Sequence, residues 1–458
     1  MTFFSEEVAM KPALRWVRIA SLLTVLLAMA ATVRAQGAAP ASPAYTTAEY
    51  NEYNAAKGIA APADKIKALE AFTAKYPNTA LLEFAYRDLY TTYYTQKNYP
   101  KTIEYVDKLL ALGDKVQAAT RLGALINRGQ AYGAGATDAA LQTPEMLTKT
   151  REASAQGLAA IAALPKPANM TDDAIKKQKD AIGFVFNSVA GIAASYQKDY
   201  KGAATSFKAA MALNPEDATT HYRLGAAYLQ DMPMQANDGF WELGRAIALK
   251  IPGDAQVKQF MQGRLIQYQQ PSCNKAVDDE INSILMASAA GADRPADFNV
   301  SSAMDLQSAR DDTNNFLPWL QGGGKNANTM WLATCGLEFP DVAVRVMEIV
   351  PGDSPDKFTM RAFRAPTQEE MQAGTMPNME IHIAEQPDVK KLNKDDFVRF
   401  TGTLNGYQQS PFMLTWDMSK VNAEDLQDAA APAGGAPGRG RGGAAGRGGA
   451  GRGRGAAQ

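Results

Sequence analysis

The sequence predicts a multidomain protein, α then β. An α-solenoid of antiparallel helix pairs and a set of capping helices precede a small five-stranded β-domain and a disordered C-terminal tail. Three observations predict it. From Thr46 to Gln270 apolar residues recur with a helical period, and the spacing itself repeats. After Cys335 the period drops to two. Past Ala429 the chain is rich in Gly, Arg and Ala, with nothing large enough to pack. An apolar fraction of 46% with 21% charge over 458 residues excludes a disordered or fibrous body.

The amino terminus, residues 1–35, has the three parts of a secretory signal. Lys11, Arg15 and Arg18 form a basic region, Ile19 to Val33 an apolar core, and Val33-Arg34-Ala35 places small residues where a signal peptidase reads. The apolar run is shorter than the ~20 residues a membrane span needs. Cleavage is expected near Gln36, giving an exported, periplasmic or extracellular protein with no transmembrane segment in the mature chain. Residues 36–45, "QGAAPASPAY", form a linker. The only two cysteines are Cys273 and Cys335, and export makes a disulfide between them the expectation over two buried thiols.

Residues 46–270 form the repeat domain. Its clearest stretch is "GIAASYQKDYKGAATSFKAAMALNP", in which Gly191, Ala194, Ala203, Phe207, Ala210 and Pro215 space small and large side chains. Leu224, Gly225 and Tyr228 restart the pattern, and Gly225 lies 34 residues after Gly191. Small residues let two antiparallel helices approach, Phe207 and Tyr228 fill the space between hairpins, and Pro215 stops a helix. "NYPKTIEYVDKLLALGD" overlays "DYKGAATSFKAAMALNP" with Tyr99 on Tyr200. These residues resemble the tetratricopeptide (TPR) repeat, whose period is 34. His221 departs from the family, standing where the repeat usually has Trp, and an insertion occupies Gly133 to Glu145. The resemblance implies a concave groove that holds a peptide or protein partner, with Tyr86, Tyr90, Asn187, His221 and Tyr228 as candidate lining residues.

Residues 271–334 read as capping and connecting helices, because a solenoid's apolar end must be covered. Pro318 is expected to stop the last of them, and Gly322-Gly323-Gly324 to break the chain from helix. Residues 335–428 hold five short strands, at Asp341–Val350, Lys357–Phe363, Asn378–Ala384, Asp396–Leu404 and Pro411–Trp416, with one helical insertion at "TQEEMQAG". The stretch from Asp395 to Trp416 resembles a strand pair of an OB-fold barrel. That resemblance implies a polymer-binding face, with Arg399 and Tyr407 as contact candidates and Trp416 in the core.

No arrangement in the sequence points to chemistry. The two histidines, His221 and His382, lie in different regions, and there is no CxxC, HExxH or His-rich cluster. "GGGK" lacks a phosphate loop's first Gly, since Trp319 stands there, and Asn326 replaces its Ser or Thr. The acids of "VDDEI", Val277 to Ile281, are expected on a solvated helix face. The reading is a non-enzymatic scaffold with no cofactor or metal. The alternatives are glycan or single-stranded polymer binding by the β-domain, or a structural subunit of an envelope complex.

Charge argues against nucleic acid as a partner. The chain carries −1 overall, residues 1–35 carry +2 and residues 429–458 carry +5, which leaves −8 on the body. The tail's five arginines have no aromatic neighbours on which bases stack. They are read instead as a solvated extension or a cationic tether to an anionic envelope polymer.

Overall fold

The computed structural model describes residues 45–429. The signal, most of the linker and the tail lie outside them. The chain divides into two compact units, one ending at Asp311 and the other beginning at Asp312.

The first unit is helical. Thirteen helices follow in order among the described residues: α1 (Thr47–Lys57), α2 (Pro62–Lys75), α3 (Leu82–Thr95), α4 (Tyr99–Leu110), α5 (Ala118–Gly135), α6 (Pro144–Ala162), α7 (Asp172–Tyr196), α8 (Tyr200–Leu213), α9 (Ala218–Gln230), α10 (Ala236–Ala248), α11 (Asp254–Gln269), α12 (Asn274–Ala290) and α13 (Ala303–Asp311). From α1 to α10 each helix packs against the next, the arrangement of a solenoid. Then α12 packs on both α10 and α11, covering that end.

The spacing read from the sequence has a direct packing cause. A Cβ on Gly191 would lie 2.5 Å from the Phe207 ring, and one on Gly225 only 2.8 Å from the Gly239 carbonyl oxygen. Glycine at these sites lets α7 meet α8, and α9 meet α10, closer than any other residue allows. The overlay of Tyr99 on Tyr200 extends to the turns before them. Lys97 and Lys198 both take the left-handed conformation, with φ of 57° and 60°. The next residues, Asn98 and Asp199, each accept a cap hydrogen bond from the amide three positions on, Lys101 and Gly202 respectively. The insertion after Gly133 is absorbed, since α5 runs to Gly135 and Leu141 is fully buried.

The second unit begins with α14 (Phe316–Gly322) and α15 (Gly324–Thr334), and then forms a barrel. Here the expectation needs correction. Pro318 does not stop a helix; it sits in the first turn of α14, where its missing amide would have no partner in any case. The glycine run ends one helix and starts another, because Gly323, at φ +71°, turns the chain between them.

Strands β1 (Glu338–Pro351), β2 (Phe358–Phe363), β3 (Met379–Ile383), β4 (Phe397–Gln408) and β5 (Met413–Val421) close a barrel in the order β1-β2-β3-β5-β4. All pairs are antiparallel except β3 with β5. A closed five-stranded barrel is the architecture the OB-fold resemblance implies. Alternate side chains, Met360 and Ala362, Met379 and Ile381, Phe400 and Leu404, and Leu414 and Trp416, point inward and are fully buried. The insertion α16 (Gln368–Ala373) carries a capping box between Thr367 and Glu370. It is pinned to the barrel by Arg345, whose guanidinium donates to the carbonyls of Met371 and Gly374 and to Asp395. A short helix, α17 (Ala423–Ala429), packs on β4.

Candidate functional site

One polar group of the helical unit involves α8, α9 and α10. His221 stands one turn into α9 with its ring buried. Its Nδ1 lies 2.5 Å from Glu242 Oε2 on α10, and its Nε2 lies 2.9 Å from the Pro215 carbonyl oxygen. Burial alone would lower the pKa of this imidazole, but the Glu242 carboxylate and the Pro215 carbonyl outweigh it and hold the value above the ordinary one. His221 thus bridges two helices at the position where the family has Trp.

Tyr228 lies two turns further along α9. It is buried, and the Lys208 ammonium of α8 sits 5.1 Å from its ring centroid. One turn before Glu242 on α10 comes Asp238, whose charge acts on both Lys208 and Tyr228. His221, Tyr228, Lys208, Asp238 and Glu242 therefore form one polar group across three helices. Of these the sequence pointed to His221 and Tyr228. Their partners carried no signal in the repeat spacing, because Lys208, Asp238 and Glu242 occupy positions the repeat leaves free.

The other candidates fall elsewhere. Asn187 is half-buried on α7. Tyr86 is half-buried on α3, 6.1 Å from the Tyr105 ring, while Tyr90 is buried in the core with its hydroxyl pKa pushed up to about 12 by burial. Tyr90 and Tyr228 serve as packing residues, with little surface left for a partner. In the core cluster that holds Tyr90, Glu70 accepts hydrogen bonds from both Tyr93 and Tyr105 at 2.7 Å, and those two rings stack 5.6 Å apart.

In the barrel both candidates are engaged within their own unit. Arg399 donates to Asp425 at 3.0 Å and to Glu424 at 3.4 Å, both on α17. The Tyr407 hydroxyl donates to the Leu320 carbonyl at 2.9 Å, and its ring lies 5.9 Å from that of Trp331. These bonds fix α17 and α14 to the barrel, which is a structural role. Trp416 is fully buried. His382, on β3, lies 2.7 Å from Asp417 and 3.1 Å from Glu380. Partial burial pulls its pKa down, but the two carboxylates hold it above the ordinary value.

The acids of α12 correct another expectation. Asp278 and Asp279 face solvent, but Glu280 is buried and accepts a 2.6 Å hydrogen bond from Gln269 of α11. Burial pushes its carboxyl up to about 7. Among the described residues no group of three or more His, Cys, Asp or Glu is arranged to hold a metal ion. No helix among them is long and apolar enough to cross a membrane.

A run of antiparallel helix pairs packed neighbour on neighbour defines a repeat solenoid, a class that presents extended surfaces to other proteins. Residues 196–231 match the family model of the TPR repeat. The match spans the end of α7, all of α8 and all of α9. No curated protein matches the chain.

Proposed function

We propose that this protein is an exported, non-enzymatic scaffold that uses its helical unit to bind a peptide or protein of the cell envelope. The observation that carries the reading is the TPR repeat at residues 196–231, set in an unbroken run of helix pairs. The amino-terminal signal pattern supports export, and the tail's five arginines suit a tether to an anionic envelope polymer. The engaged states of Arg399 and Tyr407 favour the helical unit over the barrel as the reader.

The test is affinity capture from envelope fractions with wild-type protein and an Asn187→Ala/Lys208→Glu variant. Lys208 is exposed and Asn187 half-buried, so neither change opens a core cavity. The variant is expected to lose at least tenfold of the captured partner while its melting temperature moves by only a few degrees. An identical set of captured proteins, or none with wild type, would overturn the reading.

A further inference from the structure

Between α12 and α13 the chain runs without regular structure from Gly291 to Ser302, and it lies against α10. Three contacts hold it. The Arg294 guanidinium donates to Asp238 Oδ1 at 2.9 Å, the Val300 amide donates to Asn237 Oδ1 at 2.8 Å, and the Phe298 ring meets Trp241 edge to face at 5.2 Å. Asn237, Asp238 and Trp241 fall within one turn of α10, so they form a continuous stripe.

Each contact is a means by which a helical surface reads an extended peptide. The Asn237 side chain binds the peptide's backbone, Asp238 takes a basic side chain, and Trp241 takes an aromatic one. The strap between these anchors is wet. Asp293, Pro295, Ala296 and Asp297 are exposed, and the ion pair itself keeps 31% and 43% of its two side chains in solvent. An ion pair so exposed is screened and holds weakly. Pro295 keeps the strap extended and offers no amide to a helix.

We propose that the Asn237, Asp238 and Trp241 stripe of α10 is a docking surface for an extended segment of another protein, and that residues 291–302 occupy it in cis. The segment it fits carries a basic residue, an aromatic residue four positions on and a β-branched aliphatic residue two positions after that, the order of Arg294, Phe298 and Val300. This rests on the scaffold reading and names its partner's chemistry. The stripe continues the polar group already described, because Asp238 also acts on Lys208 and Tyr228.

The strap acts as a competitor at high effective concentration, so a peptide supplied in trans meets an occupied site. The test uses the full chain and a fluorescein-labelled peptide, "GADRPADFNVSS", followed by anisotropy. Wild-type protein is expected to bind it weakly, and the Arg294→Ala/Phe298→Ala variant at least tenfold more tightly. Adding Trp241→Ala to that variant should abolish the gain. Equal affinity in wild type and the strap variant would overturn the proposal.

Because Phe298 packs on the buried Trp241, a second variant avoids the core. Asp238→Arg is expected to bind a peptide with Asp in place of Arg294 at least tenfold better than the native peptide, reversing the wild-type order. No reversal overturns the proposal independently of the first result. Neither measurement needs an envelope partner, so failure here leaves the capture experiment to decide the scaffold reading separately.

Discussion

His221 and His382 are the chain's only histidines, and each is held by at least one carboxylate that outweighs the effect of burial. A raised folded-state value means that the native protein binds the proton more tightly than the unfolded chain. The resulting stability is fully present below the ordinary value of 6.5 and is lost as pH rises through the folded value. Two imidazole resonances followed by NMR should both titrate above 6.5, and Glu242→Gln should lower the His221 midpoint while leaving His382 in place. A His221 midpoint unmoved by that change would rule out the pair. Glu280 works with the same sign over a lower pH window. Burial raises its carboxyl from 4.5 to about 7, so the native state binds more protons across that window and stability falls as pH rises through it. Glu280→Gln is expected to flatten that decline in denaturation midpoints between pH 5 and 8, and an unchanged slope would remove the effect. The sequence showed three acids in a row on α12 and could not say which one turned inward. That is decided by the rotation of α12 against α10 and α11, a tertiary fact.

Among the elements, the hairpins α7–α8 and α9–α10 were legible because packing there is written in residue size. Gly191 and Phe207 are complementary shapes, and the 34-residue return at Gly225 repeats the demand. Gly225→Val puts a branched side chain 2.8 Å from the Gly239 backbone, which cannot give way as a flexible side chain would. It should destabilise the helical unit by about 1–3 kcal/mol, read as a lower denaturation midpoint. Gly263, on α11, has nothing within 4 Å of its Cβ position, so Gly263→Ala should raise stability by about 0.5–1 kcal/mol. Equal effects at the two sites would contradict the packing account. The elements around Pro318 were not legible for a different reason. A proline reads as a stop or as a first-turn residue depending on where the helix begins, and α14 begins only two residues before it. The strands were found by their alternation, but the parallel pairing of β3 with β5 is non-local and left no mark in either strand.

For the whole molecule, the order of helical, strand-rich and Gly/Arg-rich segments follows from composition, whereas the state of its two cysteines depends on where the protein folds. We propose that Cys273, at the start of α12, and Cys335, buried at the end of α15, form a disulfide in the exported protein. Such a bond constrains the unfolded chain by closing a long loop, and in the chain-entropy model that contributes roughly 4 kcal/mol. Alkylation of the denatured protein without reductant, followed by peptide mass spectrometry, should find neither cysteine modified and one cross-linked peptide pair. Reductant should then lower the denaturation midpoint of wild type but not of a Cys273→Ser/Cys335→Ser variant, since only wild type has a bond to lose. Two alkylated thiols would remove the bond. A bond with no change in midpoint on reduction would instead mean that native-state strain cancels the entropic gain. The same measurement bears on export, because thiols kept reduced in protein recovered from its native compartment would contradict an oxidising destination.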